Sequence, residues 1–550
     1  MSDLDLPPDS NSELAALAIA RLESSGVKCW VVCAGARNLP LVKALLAWRE
    51  ERHYQIYHHF DERAAAFFAL GLCKCQDSPV AVVTTSGTAV SELFSAVIEA
   101  SYTSASLALV TADRPREFRG SGAPQSIEQA GIFGTYPVVA ADIAEPAELA
   151  ALPWMGEGVL HLNLCFAEPT AAPSLPWEAV ADLPVWFPEP DPDESGRKVS
   201  VDWFFREVSR PLVLLGDLPE AWREPVKHLL DRHAAPFWAE ATSGLREVAE
   251  WANRQLVSEG ELKAYQPDGV LRIGGVPSCR FWRDLERNDD VFVHSLVYAP
   301  FSGLARESGW ELCEDLTGLS PGPNPVESET KEGLVDDLTL LNPETERSTG
   351  DSLEAIPDWS GLLERHVRSE PGVMRRLSRV IPSEARVFLG NSLPIREWNL
   401  AADLTTPHAD VWANRGVNGI DGEVATFLGL CQGVSEGWGI FGDLTALYDL
   451  NAPALIGQID TERLRIVVLN NGGGRIFSRL PSLADLDEPA REVVENEHAI
   501  SFRPWAELWG LEYLAWDVGA SFPAELPDRC VIEIGIDERA SALFWEAMGR

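Results

Sequence analysis

GDLTALYDLNAPALIGQIDTERLRIVVLNNGGGRIFSRLP, residues Gly442 to Pro481, governs the reading of the whole chain. The apolar run Trp438 to Phe441 just before it has the make-up of a buried strand, and Gly442-Asp443 falls where that strand hands over to a helix. A second apolar run, Leu464 to Leu469, leads into Asn470-Asn471 and three glycines. In such a strand–helix–strand unit, an acid at one strand end and an amide at the next meet across a short gap. Their oxygens are hard ligands that suit Mg2+ holding a diphosphate. The Gly472–Gly474 turn lets backbone approach an anion, and the helix opening at Leu444 presents free N–H groups. An ordinary βαβ turn has the same outline, so the segment is weighed with the rest of the chain.

Outward from it, short apolar runs end in polar or glycine-rich turns that precede helices. Cys29–Cys33 leads into Ala34-Gly35-Ala36-Arg37-Asn38, and Tyr54–His58 precedes HFDERAAAFFALGLCKC. Val80–Val83 runs into Thr85-Ser86-Gly87-Thr88 and the helix of AVSELFSAVIEA, while Leu107–Val110 ends in Thr111-Ala112-Asp113-Arg114. Leu160–Cys165 closes this first unit. Strands at Leu212–Leu215, Val270–Ile273 and Val291–His294 mark a second unit, and Val387–Leu389 with the opening stretch mark a third. The pattern predicts an α/β protein of doubly wound parallel sheets, with ligands at the carboxyl ends of the strands. The expected domains are 1–180, 195–320 and 359–550, with the acidic, Pro/Gly/Ser/Thr-rich stretch 321–358 as a linker.

The 550 residues are 46% hydrophobic and 23% charged, a globular composition with length for three or four domains. No apolar window is long enough to span a bilayer, and MSDLDLPPDSNSE has no signal-peptide core. Nine cysteines follow no metal or disulfide spacing; Cys73 and Cys75 share a predicted helix without a second pair. A cytoplasmic setting is expected. The net charge of −39 excludes non-specific nucleic-acid binding, which needs a basic surface. Anionic small molecules must therefore be gripped by local arginines against an unfavourable field.

Asp443 and Asn471 stand 28 positions apart, and this resembles the thiamine diphosphate-binding motif of Gly-Asp-x followed by Asn-Asn. HFDERAAAFFALGL, TSGTAVSELFSAVIEA, TADRPREFRGSGAPQSI, GNSLPIR, NRGVNGIDG, GDLTALYDLNA and GGRIFSRLP occur in that order. Together they resemble the 2-succinyl-5-enolpyruvyl-6-hydroxy-3-cyclohexene-1-carboxylate synthases, thiamine diphosphate enzymes of menaquinone biosynthesis. The resemblance spans the first and third units nearly throughout and is thin in the middle. It implies pyrimidine-binding, central and diphosphate-binding domains. It also implies decarboxylation of 2-oxoglutarate and 1,4-addition of the succinyl carbanion equivalent to isochorismate.

The resemblance assigns Glu62 to the aminopyrimidine as the catalytic acid. Asp443, Asn471 and the Gly473 carbonyl are assigned to Mg2+, with Mn2+ as its alternative. Ser392, Asn418, Ile420, Leu444, Thr445, Gly474 and Ile476 are assigned to the cofactor. The implied substrate pocket is Arg37, Arg114, Gln125, Arg280, Ser392, Arg396, Arg415, Ile476, Phe477 and Leu480; arginines grip dicarboxylates through paired hydrogen bonds. Without the resemblance, Asp61 and Glu62 also read as acids favouring a helix start, and Ile420, Ile476 and Phe477 as core residues. A homodimer or homotetramer with active sites between chains is implied as well. Two departures stand out. The usual Pro-Gly-Ser-Arg turn is Ala34-Gly35-Ala36-Arg37 here, losing a hydroxyl, and the usual Ser-Lys-Arg is Ser278-Cys279-Arg280, losing a cation. Another thiamine diphosphate-dependent 2-oxo acid decarboxylase or carboligase is the competing reading.

Overall fold

The computed structural model describes residues 10–76, 78–167, 174–180, 199–319, 359–479, 483 and 486–548. The predicted linker 321–358 and Leu480 lie outside the described residues.

Three parallel sheets organise the chain. The first contains β1 (Cys29–Val32), β2 (Gln55–His58), β3 (Val80–Thr84), β4 (Leu107–Asp113), β5 (Val139–Ile143) and β6 (Leu160–Cys165), in the order β2-β1-β3-β4-β6-β5. The second contains β7 (Pro211–Leu215), β8 (Phe237–Ala239), β9 (Gly269–Ile273), β10 (Phe292–Val297) and β11 (Gly309–Leu312), ordered β11-β10-β9-β7-β8. The third contains β12 (Arg386–Leu389), β13 (Val411–Trp412), β14 (Glu436–Gly442), β15 (Arg463–Asn470), β16 (Glu512–Trp516) and β17 (Arg529–Gly535), ordered β13-β12-β14-β15-β17-β16. The third sheet therefore repeats the order of the first, strand for strand. Central strands such as β3 and β4 are buried along their length, as continuous apolar runs covered on both faces require.

The predicted strands Trp438–Phe441 and Leu464–Leu469 lie inside β14 and β15, paired from Glu436↔Arg463 to Gly442↔Leu469. That register puts Asp443 and Asn470-Asn471 at neighbouring strand ends. Two local expectations are corrected. β4 does not stop at Val110 but continues through Asp113, because the polar residues that read as a turn are satisfied in the interior. Thr111 Oγ1 donates to Asn163 Oδ1 (2.9 Å), and Asp113 accepts from Asn163 (3.1 Å) and Arg119 (3.0 Å). The helix expected over AVSELFSAVIEA is two helices, Thr88–Ser91 and Phe94–Tyr102.

The chain divides into two compact units. One is Met1–Asp193 with Gly416–Val434 and Thr445–Glu462; the other is Glu194–Arg415 with Ser435–Leu444 and Arg463–Arg550. In the first unit, helices Glu62–Gln76 and Glu423–Leu430 cross with glycine against backbone. A Cβ at Gly71 would lie 2.1 Å from Thr426 O, and one at Gly429 2.2 Å from Phe68 O. Helix Glu423–Leu430 is buried throughout, and Glu62–Gln76 from Ala64 to Cys73, which accounts for their almost unbroken apolar sequence. All nine cysteines are free, and Cys73 and Cys75 lie on one helix as expected. Among the described residues, no helix is long and apolar enough to cross a membrane.

Candidate active site

The β14–β15 strand ends build an oxygen-rich cradle. Asp443, 2% exposed, opens the short helix Asp443–Tyr448. Its Oδ2 accepts the N–H groups of Asn471 (3.1 Å), Gly472 (2.8 Å) and Gly473 (3.0 Å), and its Oδ1 accepts that of Leu444 (2.7 Å). Only glycine suits the turn: Gly472 and Gly473 have φ of 77° and 142°, and a Cβ on Gly473 would meet Glu495 O at 2.5 Å. The turn was expected to offer its amides to a bound anion. In the structure these three amides face the chain's own carboxylate, and Gly474 N–H donates to Glu495 O.

Asn471 Nδ2 donates to Glu370 Oε1 (3.1 Å), while Asn471 Oδ1 is buried without a partner. His498 Nε2 lies 3.5 Å from Asp443 Oδ2. Burial pushes the Asp443 carboxyl up from its ordinary range, opposed by the N–H groups of Gly473, Leu444 and Gly472 and by His498. A buried carboxylate, an orphaned amide oxygen and the Gly473 carbonyl form a hard donor set. That carbonyl already accepts Arg475 N–H at 2.9 Å and keeps a second lone pair. The set fits a divalent cation such as Mg2+. Leu444, Ile476 and Phe477 are half-buried, and Thr445 is buried.

The same compact unit gathers arginines at the ends of β8, β12 and β13. Arg415, 5% exposed, pairs with Glu240 (3.2 Å) and donates to Asn391 Oδ1 (2.8 Å). Arg396 donates to the Ser392 carbonyl, with Arg415, Glu240, Arg283 and Glu259 as the charges around it. Glu240 also accepts Ser278 N–H (2.8 Å), which ties the Ser278-Cys279-Arg280 turn to this group. Arg280 does not join it. Its side chain is 61% exposed and lies 3.7 Å from Asp284 on its own helix. Glu240 carried no sequence signal, and Asn391 stood in the GNSLPIR segment without an assigned role; chain-distant contacts reveal both.

In the other unit the first sheet's strand ends collect Arg37, Arg114 and Gln125. Arg37 is 9% exposed and donates to Phe166 O (3.2 Å), and Arg114 Nε donates to Pro124 O (3.0 Å). Gln125 crosses Gly87 so closely that a Cβ there would lie 3.1 Å from its Cα. Asp61, not Glu62, caps the following helix, accepting Ala64 N–H at 3.0 Å and an Asn451 side-chain N–H. Glu62 forms no ion pair among the described residues. Burial, with Asp61 and Glu92 close by, lifts its carboxyl above the ordinary glutamate range. Its neighbour Arg63 lies 3.5 Å from Asp449, which accepts Gly422 and Val424 N–H (3.0 and 2.9 Å) at the start of helix Glu423–Leu430. Burial pushes Asp449 up to about 6. Ile420 is half-buried and outside the core, and Asn418 is exposed.

Gln125, Ser392 and Asn418 have φ of 55°, 66° and 60°. They are three of the eight described non-glycine residues in the left-handed region, and such backbone is held in place at functional sites more often than elsewhere.

The family model "Thiamine pyrophosphate enzyme, N-terminal TPP binding domain" matches residues 12–132. The chain is 37% identical over 553 residues to 2-succinyl-5-enolpyruvyl-6-hydroxy-3-cyclohexene-1-carboxylate synthase of Bdellovibrio bacteriovorus, covering 98% of both chains. The chain belongs to the 2-succinyl-5-enolpyruvyl-6-hydroxy-3-cyclohexene-1-carboxylate synthase family. It is also 39% identical to the Akkermansia muciniphila synthase over 500 residues, 89% of each chain. The synthase of Chloroflexus aurantiacus is 32% identical, with 92% of this chain and 89% of that one covered. Within this synthase family, the departure at Cys279 has a structural reading. The thiol is 5% exposed and packs with Leu212, Leu262 and Trp282, a place in which an unpaired lysine would be costly.

Proposed function

We propose that this chain is a thiamine diphosphate-dependent transferase that decarboxylates 2-oxoglutarate and adds the succinyl unit to isochorismate in a 1,4 sense. The product is 2-succinyl-5-enolpyruvyl-6-hydroxy-3-cyclohexene-1-carboxylate, and the pathway is menaquinone biosynthesis. The observation that carries the proposal is the buried, unpartnered Oδ1 of Asn471, whose backbone N–H donates to Asp443, in a chain with a relative named as this synthase over 98% of its length.

When bound, thiamine diphosphate supplies the electron sink for decarboxylation. Asp443, Asn471 and the Gly473 carbonyl would hold Mg2+ or Mn2+, and Leu444, Thr445 and Gly474 would line the diphosphate. Glu62, kept out of ion pairs and favoured in its neutral form by burial, would hydrogen-bond the aminopyrimidine and govern its proton. Ile420 would support the cofactor's shape, with Asn418, Ser392 and Ile476 against it. Arg37, Arg114, Gln125, Arg396 and Arg415 would meet the carboxylates, alongside Phe477 and Leu480. Arg280 would enter this group only by leaving Asp284. We further propose domains at 1–180, 195–320 and 359–550, a cytoplasmic setting, and a homodimer or homotetramer in which Glu62 of one chain faces Asp443 of another.

Purified protein with thiamine diphosphate and Mg2+ should turn over 2-oxoglutarate plus isochorismate and show no comparable rate with pyruvate or benzoylformate. The competing reading, another thiamine diphosphate-dependent 2-oxo acid decarboxylase or carboligase with altered substrates, draws on the departures at Ala36 and Cys279. Turnover confined to the other acids would establish it instead.

A further inference from the structure

Asn471 is a metal ligand only if its amide is turned the right way. A side-chain amide offers an oxygen on one side and an NH2 group on the other, and a half-turn about its last bond exchanges them. A cation facing the nitrogen would gain nothing. The structure contains a device that removes this ambiguity.

Asn471 Nδ2 donates to Glu370 Oε1 at 3.1 Å, and Glu370 is 2% exposed in the first turn of the helix Glu370–Val380. The other Glu370 oxygen accepts Arg479 Nη2 at 2.8 Å. Arg479 Nη1 reaches Glu397 Oε1 at 2.7 Å, and its guanidinium lies 4.8 Å from the Trp545 ring centre. Glu397 is fully buried on the helix Leu393–Ala401. Arg479 therefore clasps two helices, and Glu370 cannot swing away without breaking a charge-assisted bond inside the protein. A reversed Asn471 would push its oxygen against the Glu370 carboxylate. The orientation held by Glu370 leaves Oδ1 as the buried, unpartnered atom of a residue whose own backbone N–H donates to Asp443 at 3.1 Å.

We propose that Glu370, held by Arg479 and Glu397, is a positioning residue that fixes the Asn471 amide with its oxygen toward the divalent cation. The inference rests on the cation site of the proposed function. Arg479 also belongs to the Phe477–Arg479 turn, next to the proposed substrate contacts Ile476 and Phe477. The clasp thus ties the cation ligand and that turn to the same pair of helices. Neither acid was legible in the sequence: Glu370 reads as a first-turn acid after Ser369, and Glu397 as a polar residue in an apolar helix.

The test measures Mn2+ affinity of the full-length protein with thiamine diphosphate present, by paramagnetic resonance of free Mn2+. Glu370→Ala should weaken binding about tenfold or more, the range seen when a group orienting a metal ligand is removed. In an Asn471→Asp background the orienting task disappears, because both terminal atoms are oxygens, and Glu370 becomes a like-charged neighbour. There Glu370→Ala should leave affinity unchanged or tighten it. A merely structural role would give the same loss in both backgrounds, and that result overturns the inference. So does unchanged affinity in Glu370→Ala. Should the alanine variant not fold, Glu370→Gln carries the same reversal: weaker binding beside Asn471, tighter beside Asn471→Asp. Mn2+ binding in the unaltered protein that is insensitive to Asp443→Ala would instead remove the cation site itself, and the inference with it.

Discussion

Strand for strand, the first and third sheets are the same object, yet their ends carry different chemistry. β2 and β13 hold the same place in the order; β2 is followed by the acid Glu62, and β13 by Asn414 and Arg415. β3 and β14 also correspond; after β3 come Thr85-Ser86-Gly87, after β14 Asp443-Leu444-Thr445. The helices after β2 and β13 are Glu62–Gln76 and Glu423–Leu430, the two that cross through Gly71 and Gly429. Strand order fixes where a side chain can stand; it says nothing about which charge belongs there. The two carboxyls also differ in their surroundings. Asp443 is held by four backbone N–H groups, while Glu62 has no ion pair among the described residues and burial dominates over the backbone N–H that faces it. A desolvated, uncompensated carboxyl suits proton handling, and an immobilised one suits a cation.

The contrast can be broken at either end. Glu62→Gln should slow exchange of the reactive thiazolium proton of bound cofactor by about 10³–10⁴-fold, with cofactor affinity little changed. Unaltered exchange, followed by NMR in heavy water, would erase the distinction between the two acids. Asp443→Ala should weaken cation-dependent cofactor binding about a thousandfold, more than the loss of an outer-shell group causes. Calorimetry giving an unchanged affinity would show that the cradle holds nothing.

A third test uses Asp449, whose burial pushes it up to about 6 from 3.8. The folded chain then holds this proton more tightly than the unfolded one. The associated stability is fully present below the unfolded value and is lost as pH rises through 6. A carboxyl displaced that far accounts for about 3 kcal/mol. Asp449→Asn, which keeps one acceptor oxygen, should flatten the urea midpoint between pH 4 and 7; an equally steep profile would mean that Arg63 already compensates the charge. The smallest effect is expected for Arg280→Ala. An exposed guanidinium paired with Asp284 contributes little, so KM for either acid should move less than about twofold. A larger rise would bring Arg280 into the pocket and extend the contrast to the second sheet.

The cation cradle was legible because its parts are local: two apolar strands, their terminal Asp443 and Asn471, and glycines that a turn requires. Composition left Ile420, Ile476 and Phe477 open between core and site, and the structure shows all three only half-buried. Strand β13, two residues long, and β5, with Ala140 and Ala141 at its centre, give too little apolar signal to stand out. Thr111 and Asp113 misled for the opposite reason, since polar residues inside a strand look like its end until Asn163 and Arg119 are known to reach them. Glu240, Glu370 and Glu397 were invisible because each acts through a partner more than 80 positions away.

The helix crossing has a consequence for how the chain is made. Helix Glu62–Gln76 leaves the ribosome early, but the surface that covers it arrives only with residues 423–430. At ordinary elongation rates that interval is roughly 20–70 s. For that time an almost wholly apolar helix waits without its mate, and the nascent chain is a natural client for chaperones. A fragment ending before residue 416 would never leave that state.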